Sequence, residues 1–440
     1  MKNTEYMYVD GIPVAINGEK NMLQVIRKTG VKLPTFCYHT DLSIYGACRM
    51  CMVEDERGNL YTACSTPPRA GMSIKTNTAR LRKYRKNILE LLLANHCRDC
   101  TTCSNNKSCK LQDLAVRFNI DGVRFPNRAD DNKVTNSSAS IVFDSGKCIL
   151  CGDCVRTCHE VQNVGAIDFA FRGSKMLIST AFGKPLSETM CVGCGQCAVA
   201  CPTGAITARS EIQKVWDAIS NPSVKTVVQV APAVRVALGN MVGIPEGKDV
   251  SGLIFAALRK MGFDEVFDTS FGADITVLEE SKEFLERLKE GKRLPIITSC
   301  CPAWIQYCEK KHPKLMENVS TCRSPMEMFA SVIKEERQER GKKLFHVAVM
   351  PCTAKKFEAQ REEFLGKDGS RNVDAVITTD ELTHMLKEAG ILLNEIDPEP
   401  VDHPYDNASG AAVIFGVTGG VTEAVLRNVV KDKSRSALMK

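Results

Sequence analysis

The sequence has few features that would tie the chain to secretion, to a membrane or to nucleic acid. Its N-terminus, MKNTEYMYVDGIP, contains no apolar run, so no signal peptide is expected. The longest apolar stretch, VKTVVQVAPAVRVALG, is interrupted by Lys225 and Arg235 and is too short to cross a bilayer. The net charge of +6 is small for 440 residues, and no long block of Lys and Arg indicates nucleic-acid binding. A cytoplasmic protein without a membrane span is therefore expected.

Cysteine, in contrast, is abundant. The chain has 21 cysteines, and 16 of them precede residue 202. Disulfides are rare in a reducing cytoplasm, so this number and the repeated Cys-x-x-Cys spacing favour metal sites. A disulfide-rich secreted protein is the alternative, and the missing signal sequence disfavours it. The length and the hydrophobic content of 44% are those of a globular protein with two to four domains.

The cysteine-rich part of the chain predicts three small domains. Residues 1–78 predict a β-rich domain that begins with a hairpin in YMYVDGIPVAI and continues into a short helix. Residues 79–137 begin with an amphipathic helix over 80–95. The polar stretch 127–140 predicts a linker to the third domain, residues 138–209.

Residues 210–440 predict an α/β domain with parallel strands. Its strand-like runs are TVVQVAP, RLPIITS, FHVAVMP and AVIFGVTGG. They alternate with helical stretches such as ESKEFLERLKEGK and SPMEMFASVIKEERQERGKK, and this alternation is typical of such a domain. The predicted fold class is therefore a multidomain combination of α+β and α/β parts.

The first cysteine group consists of Cys37, Cys48, Cys51 and Cys64. Cys48 and Cys51 offer two thiolates from one tight loop, and the other two cysteines close the ring from neighbouring segments. The spacing resembles that of a plant-type [2Fe–2S] ferredoxin of β-grasp fold, although the first gap is longer. Four thiolates also suit zinc, and the group alone leaves that alternative open.

The second group, HCRDCTTCSNNKSC, offers five candidate ligands for four positions: His96, Cys97, Cys100, Cys103 and Cys109. The pattern His-x3-Cys-x2-Cys-x5-Cys resembles the His-ligated [4Fe–4S] site of complex I and of iron-only hydrogenases. The resemblance implies that His96 is a ligand and Cys97 is free. A neutral imidazole in place of a thiolate raises the cluster potential. The alternative makes Cys97 the ligand and His96 an exposed residue at a helix end.

Two further groups repeat the spacing Cys-x2-Cys-x2-Cys-x3-Cys, the bacterial ferredoxin pattern, in CILCGDCVRTCHE and CVGCGQCAVACPTG. In this pattern the first three thiolates hold one [4Fe–4S] cluster and the fourth holds the other. The prediction is two clusters, one held by Cys148, Cys151, Cys154 and Cys201, the other by Cys158, Cys191, Cys194 and Cys197. Four clusters in series would conduct electrons, so the last domain is expected to contain the reaction.

The last domain contains two adjacent cysteines, Cys300 and Cys301, a poor pair for a disulfide. Their segment TSCCPAW and the later segment MPCTAKKFE resemble the first two active-site motifs of iron-only ([FeFe]) hydrogenases. The resemblance covers essentially the whole chain, including FGADITVLEE and FGVTGGVTEAVLR. It implies an H-cluster, which is a [4Fe–4S] cubane bridged by a cysteine to a two-iron unit with CO, cyanide and a dithiolate amine.

The resemblance also assigns roles around this centre. Cys301 and Cys352 would be cubane ligands, and Cys300 a free thiol that passes protons to the amine. Lys355 would hydrogen-bond a cyanide, and Met350 would pack beside the two-iron unit.

The segment APAVR would line the same pocket through Ala231 and Pro232. Ala233 takes a place that is often serine in the family, which removes one polar contact.

A proton path is expected on one helix. Glu280, Glu283 and Arg287 fall at i, i+3 and i+7 and share a face, which by itself predicts a solvated, salt-bridged surface. The resemblance instead implies that Glu280, Glu283 and Ser320 relay protons between Cys300 and solvent, with Arg287 at the outer end.

The two other cysteines of this domain match no ligand position. Cys308 and Cys322 are expected to be core thiols.

The sequence departs from the family at its end. The third motif would supply two more cysteines, and no cysteine follows Cys352. Two thiolates do not complete a cubane with four protein ligands. A truncated product is expected, with the strand AVIFGVTGG and the helix VTEAVLRNVV lacking neighbours. The alternatives are ligands from another polypeptide, or an electron-transfer protein without hydrogenase activity.

The expected function is therefore an iron-only hydrogenase, 2H⁺ + 2e⁻ ⇌ H₂. An electron-transfer subunit like those of complex I or formate dehydrogenase is disfavoured by TSCCPAW and MPCTAKK. A hydrogenase-like iron–sulfur assembly protein is disfavoured by the N-terminal two-iron domain. The expected partners are a ferredoxin or an NADH-oxidising flavoprotein subunit, in a hetero-oligomer.

Overall fold

The computed structural model describes residues 5–129, 135–245, 247–337, 342–366, 368–403, 409, 414 and 419–430. Its internal contacts divide the chain into two compact units. The first, the N-terminal unit, comprises Met1–Cys191 and Gly195–Thr207. The second, the C-terminal unit, comprises Val192–Cys194 and Ala208–Lys440. No helix among the described residues has both the length and the apolar character needed to cross a membrane.

The N-terminal unit begins with a five-stranded sheet. Its strands are β1 (Glu5–Val9), β2 (Ile12–Ile16), β3 (Met52–Asp55), β4 (Leu60–Thr62) and β5 (Ser73–Lys75). The order is β2-β1-β5-β3-β4, with β1 and β5 parallel and the other pairs antiparallel. The predicted hairpin is therefore confirmed as β1 and β2. Apolar residues of the sheet, including Met7, Val9, Val53 and Ile74, are fully buried in its core.

Three helices follow or cover this sheet: α1 (Met22–Arg27), α2 (Ala79–Ala94) and α3 (Lys110–Arg117). The Asn21 side chain caps α1 and Thr78 caps α2, each accepting a hydrogen bond from a backbone N–H of the first turn. Helix α2 buries Leu81, Arg85 and Leu89, which recur every four residues and lie on one face.

The rest of the N-terminal unit is built from short elements. They are β6 (Thr135–Ser137), β7 (Ile141–Asp144), α4 (Asp153–Arg156), β8 (Asp168–Ala170), β9 (Leu177–Ser179), α5 (Gln196–Ala200) and β10 (Ile206–Ala208). The linker prediction for 127–140 is partly wrong, because β6 pairs antiparallel with β7 in a sheet of order β10-β7-β6. Backbone pairing stabilises this polar segment, which has no apolar pattern of its own. Residues 130–134 lie outside the described part.

The C-terminal unit contains a four-stranded parallel sheet, as predicted. Its strands are β11 (Val224–Val230), β12 (Glu265–Asp268), β13 (Lys343–Met350) and β14 (Ala375–Thr378), in the order β12-β11-β13-β14. All three neighbouring pairs are parallel. The central strands are buried on both faces, which explains their nearly continuous apolar sequence. The carboxyl ends of these strands therefore meet at one edge of the sheet.

Nine described helices accompany this sheet. They are α6 (Ile212–Ile219), α7 (Pro232–Met241), α8 (Ser251–Met261), α9 (Ser270–Glu290), α10 (Pro302–Lys311), α11 (Pro325–Glu336), α12 (Ala354–Glu358), α13 (Thr379–Glu388) and α14 (Gly420–Val429). Pro232, Pro302 and Pro325 each occupy a first helical position, where proline's missing N–H costs no hydrogen bond.

Helices α9 and α11 approach closely at Gly272. A Cβ at this position would lie 2.3 Å from the carbonyl oxygen of Pro325 and 2.9 Å from the Cβ of Phe329. Only glycine fits, and the contact sets the distance between α9, which carries Glu280, and the segment that precedes α11.

Three sequence expectations for this unit need correction or fall outside the described residues. RLPIITS forms no strand and contributes one isolated bridge, between Ile297 and Val319, because Pro295 has no N–H for a ladder. The helix VTEAVLRNVV does have a neighbour, since α14 packs on α9 and buries Ala424 and Val425. Of AVIFGVTGG, only Ile414, Gly419 and Gly420 are described, so that predicted strand lies outside the described residues.

Candidate redox centres and hydrogenase-like site

The first cysteine group is brought together by the loops that flank β3 and β4. The Sγ atoms of Cys37 and Cys48 lie 3.4 Å apart, and both also accept backbone N–H groups at 3.4 Å. Hydrogen bonds with Cys48 and then with Cys64 hold the pKa of Cys37 below the usual thiol value, and a hydrogen bond with Cys64 does the same for Cys51. Three of the four, Cys37, Cys51 and Cys64, are about 1% exposed. Four converging, buried thiols form a donor set that fits a [2Fe–2S] cluster.

No group of three or more His, Cys, Asp or Glu side chains in the described part of the chain is arranged around a single metal ion.

The second group surrounds a cavity of about 420 Å³ that is lined by His96, Cys100 and Cys109. His96 is 5% exposed, so the alternative that makes it an exposed helix-end residue is wrong. Its Nδ1 accepts a hydrogen bond from the Arg98 backbone at 3.1 Å, while its Nε2 is buried without a partner. A buried, unpaired imidazole nitrogen beside two thiols fits a His-ligated cluster. Burial lowers the pKa of His96, which favours the neutral form needed for ligation.

The cysteines of this second group also influence one another. Burial raises the pKa of Cys100, and the charges of Cys109, Cys103 and Cys97 raise it further. Cys97 lies next to this set, with its Sγ 3.9 Å from the His96 Nδ1. Neither Cys97 nor Cys103 lines the described cavity, so it is the buried His96 Nε2, unpartnered among the described residues, that favours His96 as the fourth ligand.

In the ferredoxin-like repeats, three cysteines of the first repeat lie near the last cysteine of the second, and the exchange of the fourth ligand stays a prediction. Burial raises the pKa of Cys148, Cys151 and Cys154, and in each case the nearby Cys201 raises it further. These three thiols of the first repeat therefore lie close to the last cysteine of the second repeat.

Three of the remaining cysteines of the repeats lie in the same part of the N-terminal unit. Cys158, Cys191 and Cys197 pack on one hydrophobic cluster. Cys194 lies in the loop between the last two of these. In both repeats a left-handed glycine, Gly152 or Gly195, precedes the short helix that carries the third cysteine, so the two loops have the same turn.

Ligands of three predicted clusters pack in one hydrophobic cluster of the N-terminal unit. It contains Cys37 and Cys48 of the first group, Cys109 of the second and Cys151 of the third. Buried Arg156, which is 8% exposed, joins the loops by donating to the Cys37 carbonyl at 3.0 Å and to the Asp153 carboxylate. Candidate ligands of the three predicted sites therefore share one packed region of the N-terminal unit.

In the C-terminal unit, the second candidate centre lies at the carboxyl edge of the parallel sheet. Ala231, directly after β11, donates its N–H to the Val349 carbonyl of β13 at 3.0 Å. This bond places the segment of Ala231 and Pro232 beside Met350, and both Ala231 and Met350 are buried. Active sites commonly occupy this edge of an open parallel sheet.

The two motif segments meet here. Lys355 donates from Nζ to the Cys300 carbonyl at 3.1 Å and to Glu358 Oε2 at 2.6 Å. Burial raises the pKa of Cys352, and Cys301 is close enough to raise it further. Burial likewise raises the pKa of Cys300, and Lys355 offsets part of the shift. Cys301 is exposed, whereas Cys300 is partly buried, so the adjacent thiols face different surroundings.

The predicted relay residues are brought together, and they are not a solvated helix surface. Glu280 is 3% exposed and neither carboxylate oxygen has a hydrogen-bond partner. Burial raises the pKa of Glu280 to about 7, with the nearby Ser320 hydroxyl opposing the shift. The Ser320 hydroxyl donates to Glu283 Oε2 at 2.7 Å, and Arg287 pairs with the same carboxylate. Glu280 also raises the pKa of Cys300, which places the two close together.

Arg287 does not form an outer end at the surface, as the resemblance implied. It is 1% exposed and donates to the carbonyls of Asn318 at 3.0 Å and Val319 at 2.8 Å. Through these hydrogen bonds the Arg287 side chain joins the end of α9 to the segment that precedes Ser320. Ser320 and Cys322 line a cavity of about 370 Å³.

The two cysteines expected in the core differ. Cys308 is fully buried and bonds its own helix end at the His312 carbonyl, so that prediction is confirmed. Cys322 is partly buried, lines the cavity and donates from Sγ to Glu283 Oε2 at 3.7 Å. The core prediction for Cys322 is therefore wrong, since it belongs to the relay's surroundings.

Sequence reasoning missed three charged side chains. Glu358 pairs with Lys355 from the next helical turn, and its i+3 spacing was a usable signal. Glu327 is fully buried with both carboxylate oxygens unpartnered. Arg85 is 3% exposed and lies at an apolar position of α2, between Leu81 and Leu89, where a charge was a usable signal. No pattern in the sequence marked Glu327.

Four family descriptions match separate parts of the chain. They are "2Fe-2S iron-sulfur cluster binding domain" over 6–79, "NADH-ubiquinone oxidoreductase-G iron-sulfur binding region" over 85–124, "4Fe-4S dicluster domain" over 147–205 and "Iron only hydrogenase large subunit, C-terminal domain" over 224–440.

Curated relatives match almost the whole chain. The NADP-reducing hydrogenase subunit HndD of Solidesulfovibrio fructosivorans is 40% identical over 98% of this chain and 76% of its own length. Iron hydrogenase 1 of Clostridium pasteurianum is 35% identical over 98% of this chain and 75% of its own length. Cytosolic iron-sulfur assembly component 3 of Rattus norvegicus is 34% identical but spans only 55% of each chain. With its iron–sulfur domains and its hydrogenase-like site, the chain belongs to the family of iron-only hydrogenase large subunits.

Proposed function

We propose that the chain catalyses the reversible reaction 2H⁺ + 2e⁻ ⇌ H₂, with electrons relayed through N-terminal iron–sulfur clusters. The observation that carries the proposal is the meeting of Cys300, Cys301, Cys352 and Lys355 at the carboxyl edge of the parallel sheet, beside a buried acid with a pKa near neutrality. The match to iron-only hydrogenases over nearly the whole chain supports it.

The proposed cofactors are one [2Fe–2S] cluster, three [4Fe–4S] clusters and an H-cluster. The N-terminal sets are those described above, with His96 as one ligand. At the H-cluster site the chain offers Cys301 and Cys352, and a cubane with four protein ligands requires two more donors. When bound, the H-cluster supplies the metal chemistry that makes and breaks the H–H bond.

The protein's own groups position the centre and move protons. Lys355 is a cation held by Glu358 beside the motif cysteines, and it donates hydrogen bonds toward the site. Its pKa is raised, because Glu358 and the nearby Cys300 and Cys352 outweigh the effect of burial. Met350, Ala231 and Pro232 provide the apolar wall that excludes water.

Protons are proposed to pass between Cys300 and solvent through Glu280, Ser320 and Glu283. A thiol with a raised pKa stays protonated at neutral pH and can donate, and Glu280 with a pKa of about 7 can both accept and donate. Arg287 holds Glu283 in place as a buried counter-charge. The cavity at Ser320 and Cys322 provides the exchange with water.

Electrons are proposed to enter through a branched rather than a linear path. The shared packing of Cys37, Cys109 and Cys151 supports this, because both the [2Fe–2S] site and the His-ligated site adjoin the first ferredoxin-like cluster. The proposed partners are a ferredoxin or an NADH-oxidising flavoprotein subunit, in a hetero-oligomer. A cytoplasmic location remains a prediction from sequence.

An electron-transfer role without hydrogenase activity is the second candidate. The curated relatives that match nearly the whole chain are hydrogenases, which favours the first candidate over this one. The N-terminal clusters would function identically in both cases, so iron content alone does not separate them.

The test is anaerobic reconstitution of the chain with iron, sulfide and the two-iron unit, followed by an iron count and an H₂ assay with a reduced dye. H₂ formation above that of a sample without the two-iron unit is expected. A full set of N-terminal clusters with no H₂ would support the electron-transfer alternative instead.

A further inference from the structure

A basic groove lies on the N-terminal unit, between the loop before Phe36, the start of α2 and the end of α3. It has a volume of about 540 Å³. Five cationic side chains line it: Lys32, Arg82, Arg85, Lys86 and Arg117. One carboxylate, Asp10, also lines it, but Asp10 already accepts the backbone N–H of Thr76 at 2.7 Å and its hydroxyl at 2.6 Å.

The hydrogen bonds that the exposed cations of the groove make to described residues go to neutral groups, and the one nearby carboxylate with which Lys86 interacts, Glu90, does not line the groove. Arg117 donates to the Lys32 carbonyl at 3.0 Å, Arg82 to the Asn77 side chain at 3.1 Å, and Lys86 to the Asn119 carbonyl at 3.4 Å. By contrast, Arg80 of helix α2, which does not line the groove, pairs with the carboxylate of Glu54. The groove therefore keeps a concentration of positive charge that its own residues do not neutralise.

The inner wall of the groove touches the first cluster site. Arg85 donates to the carbonyls of Met50 at 3.2 Å, Met52 at 2.6 Å and Thr76 at 2.9 Å. Met50 and Met52 are the neighbours of Cys51, so one side chain separates the groove from the loop that holds the predicted [2Fe–2S] cluster. Burial and then the charge of Arg117 lower the pKa of Arg85 to about 10, which shows how closely these cations crowd.

We propose that this groove docks the acidic surface of an electron-carrier protein, the face around the carrier's own redox centre. The inference rests on the proposed electron relay and names where its partner binds. One electron leaves the reduced carrier and reduces the oxidised [2Fe–2S] cluster of this chain, and the reverse transfer reoxidises it. Long exposed Lys and Arg side chains suit steering of an oppositely charged protein.

A free nucleotide fits the groove less well. Phosphates are commonly bound by helix N-termini and glycine-rich loops, whose backbone N–H groups point at the anion. The groove is bordered by the C-terminal end of α3 and by the start of α2, where the Thr78 hydroxyl already accepts the Leu81 N–H, and no glycine lines it among the described residues.

The test uses the full chain reconstituted with iron and sulfide, and an acidic plant-type [2Fe–2S] ferredoxin as the probe. The groove variant is Lys86→Gln with Arg117→Gln. The charge-matched control is Lys75→Gln with Lys83→Gln, two exposed lysines near the groove that do not line it. Ferredoxin binding is measured by titration calorimetry, and cluster reduction by stopped flow, both at low and high salt. Iron content and thermal unfolding verify that both variants are folded.

Binding and the second-order rate of reduction are expected to fall about tenfold or more in the groove variant at low salt, with little change in the control. The difference should disappear at high salt, and reduction by dithionite should stay unchanged. Equal weakening in the two variants, or none, would overturn the docking site. So would binding that competes with inorganic phosphate and not with salt of equal ionic strength. Groove-dependent binding without electron transfer would support the docking site and count against the proposed relay.

Discussion

The N-terminal and C-terminal units differ in how their metal-binding residues are arranged along the chain. Within residues 1–207 every proposed cluster has four donors, most of them a few residues apart. In the C-terminal unit Cys301 and Cys352 are 51 positions apart in the sequence and are joined by the parallel sheet. Short spacing makes a ligand set visible in one segment, whereas a site at a sheet edge depends on the whole domain. The first kind of site should tolerate distant changes better than the second.

The largest expected effect separates the two adjacent cysteines of the C-terminal unit. Cys301→Ser should remove iron from this unit, because a hydroxyl is a poor cluster ligand. Cys300→Ser should keep the iron and lose nearly all H₂ turnover, because the hydroxyl does not replace the thiol as proton donor. Iron counts and EPR spectra measure the cluster content, and the dye assay measures H₂ turnover.

Cys308→Ser is the matched control, since Cys308 is buried away from the motif. The role assignment would be contradicted if both motif variants lost the same amount of iron.

Gly272→Ala tests whether the C-terminal site depends on distant packing. The new methyl group would meet the Pro325 carbonyl and force α9 away from α11. We expect a loss of about 1–3 kcal/mol in the free energy of unfolding, together with reduced H₂ turnover and unchanged N-terminal iron. Thermal unfolding and iron counts measure these changes.

Gly122→Ala is the control in the N-terminal unit, because no atom lies within 4 Å of the place that its new methyl group would take. If the two variants are equally stable, the close approach of the helices does not constrain the C-terminal unit.

Glu327→Gln tests the buried carboxyl group of Glu327 in the C-terminal unit. Burial and then the nearby Glu358 raise the pKa of Glu327, and Lys355 and Arg323 oppose the shift. The resulting pKa is about 8. The folded state keeps the Glu327 proton to a higher pH than the unfolded state. The contribution of Glu327 to the free energy of unfolding is therefore fully present below about pH 4.5 and falls as the pH rises towards 8. The slope is about 1.4 kcal/mol per pH unit within that window.

The glutamine variant lacks this slope, so it should gain stability over the wild type from pH 5 to pH 8. Chemical unfolding across this range measures the difference. Glu336→Gln, an exposed position on the same helix, should follow the wild type. Parallel curves for wild type and Glu327→Gln would show that the carboxylate is not neutralised by burial.

The smallest expected effect concerns the second cluster of the N-terminal unit. His96→Cys should keep the cluster and lower its midpoint potential, because a thiolate adds negative charge. Cys97→Ser should change neither the iron content nor the potential. EPR-monitored redox titration distinguishes the two variants, and a cluster lost only in Cys97→Ser would make Cys97 the ligand.

Much of the local structure could be predicted from the sequence. The hairpin of β1 and β2, the helices α2, α9 and α11, and the parallel strands β11 and β13 follow from apolar periodicity and are confirmed. Prediction failed for β6, where strand pairing overrides a polar composition. It failed for RLPIITS because its proline prevents a regular strand. It also failed where burial depends on a distant neighbour, as for Arg287, Cys322 and helix α14.

The sequence by itself predicts which donors belong to which cluster, because spacings of two, three and five residues restrict how one loop can surround a metal cluster. Only the tertiary structure decided what surrounds those donors. It buried Arg85 beneath the Cys51 loop, left Glu280 without a hydrogen-bond partner and packed ligands of three clusters into one core. The physical reason is that pKa values and docking charges depend on desolvation and on distances between segments far apart in the chain, and local spacing carries neither.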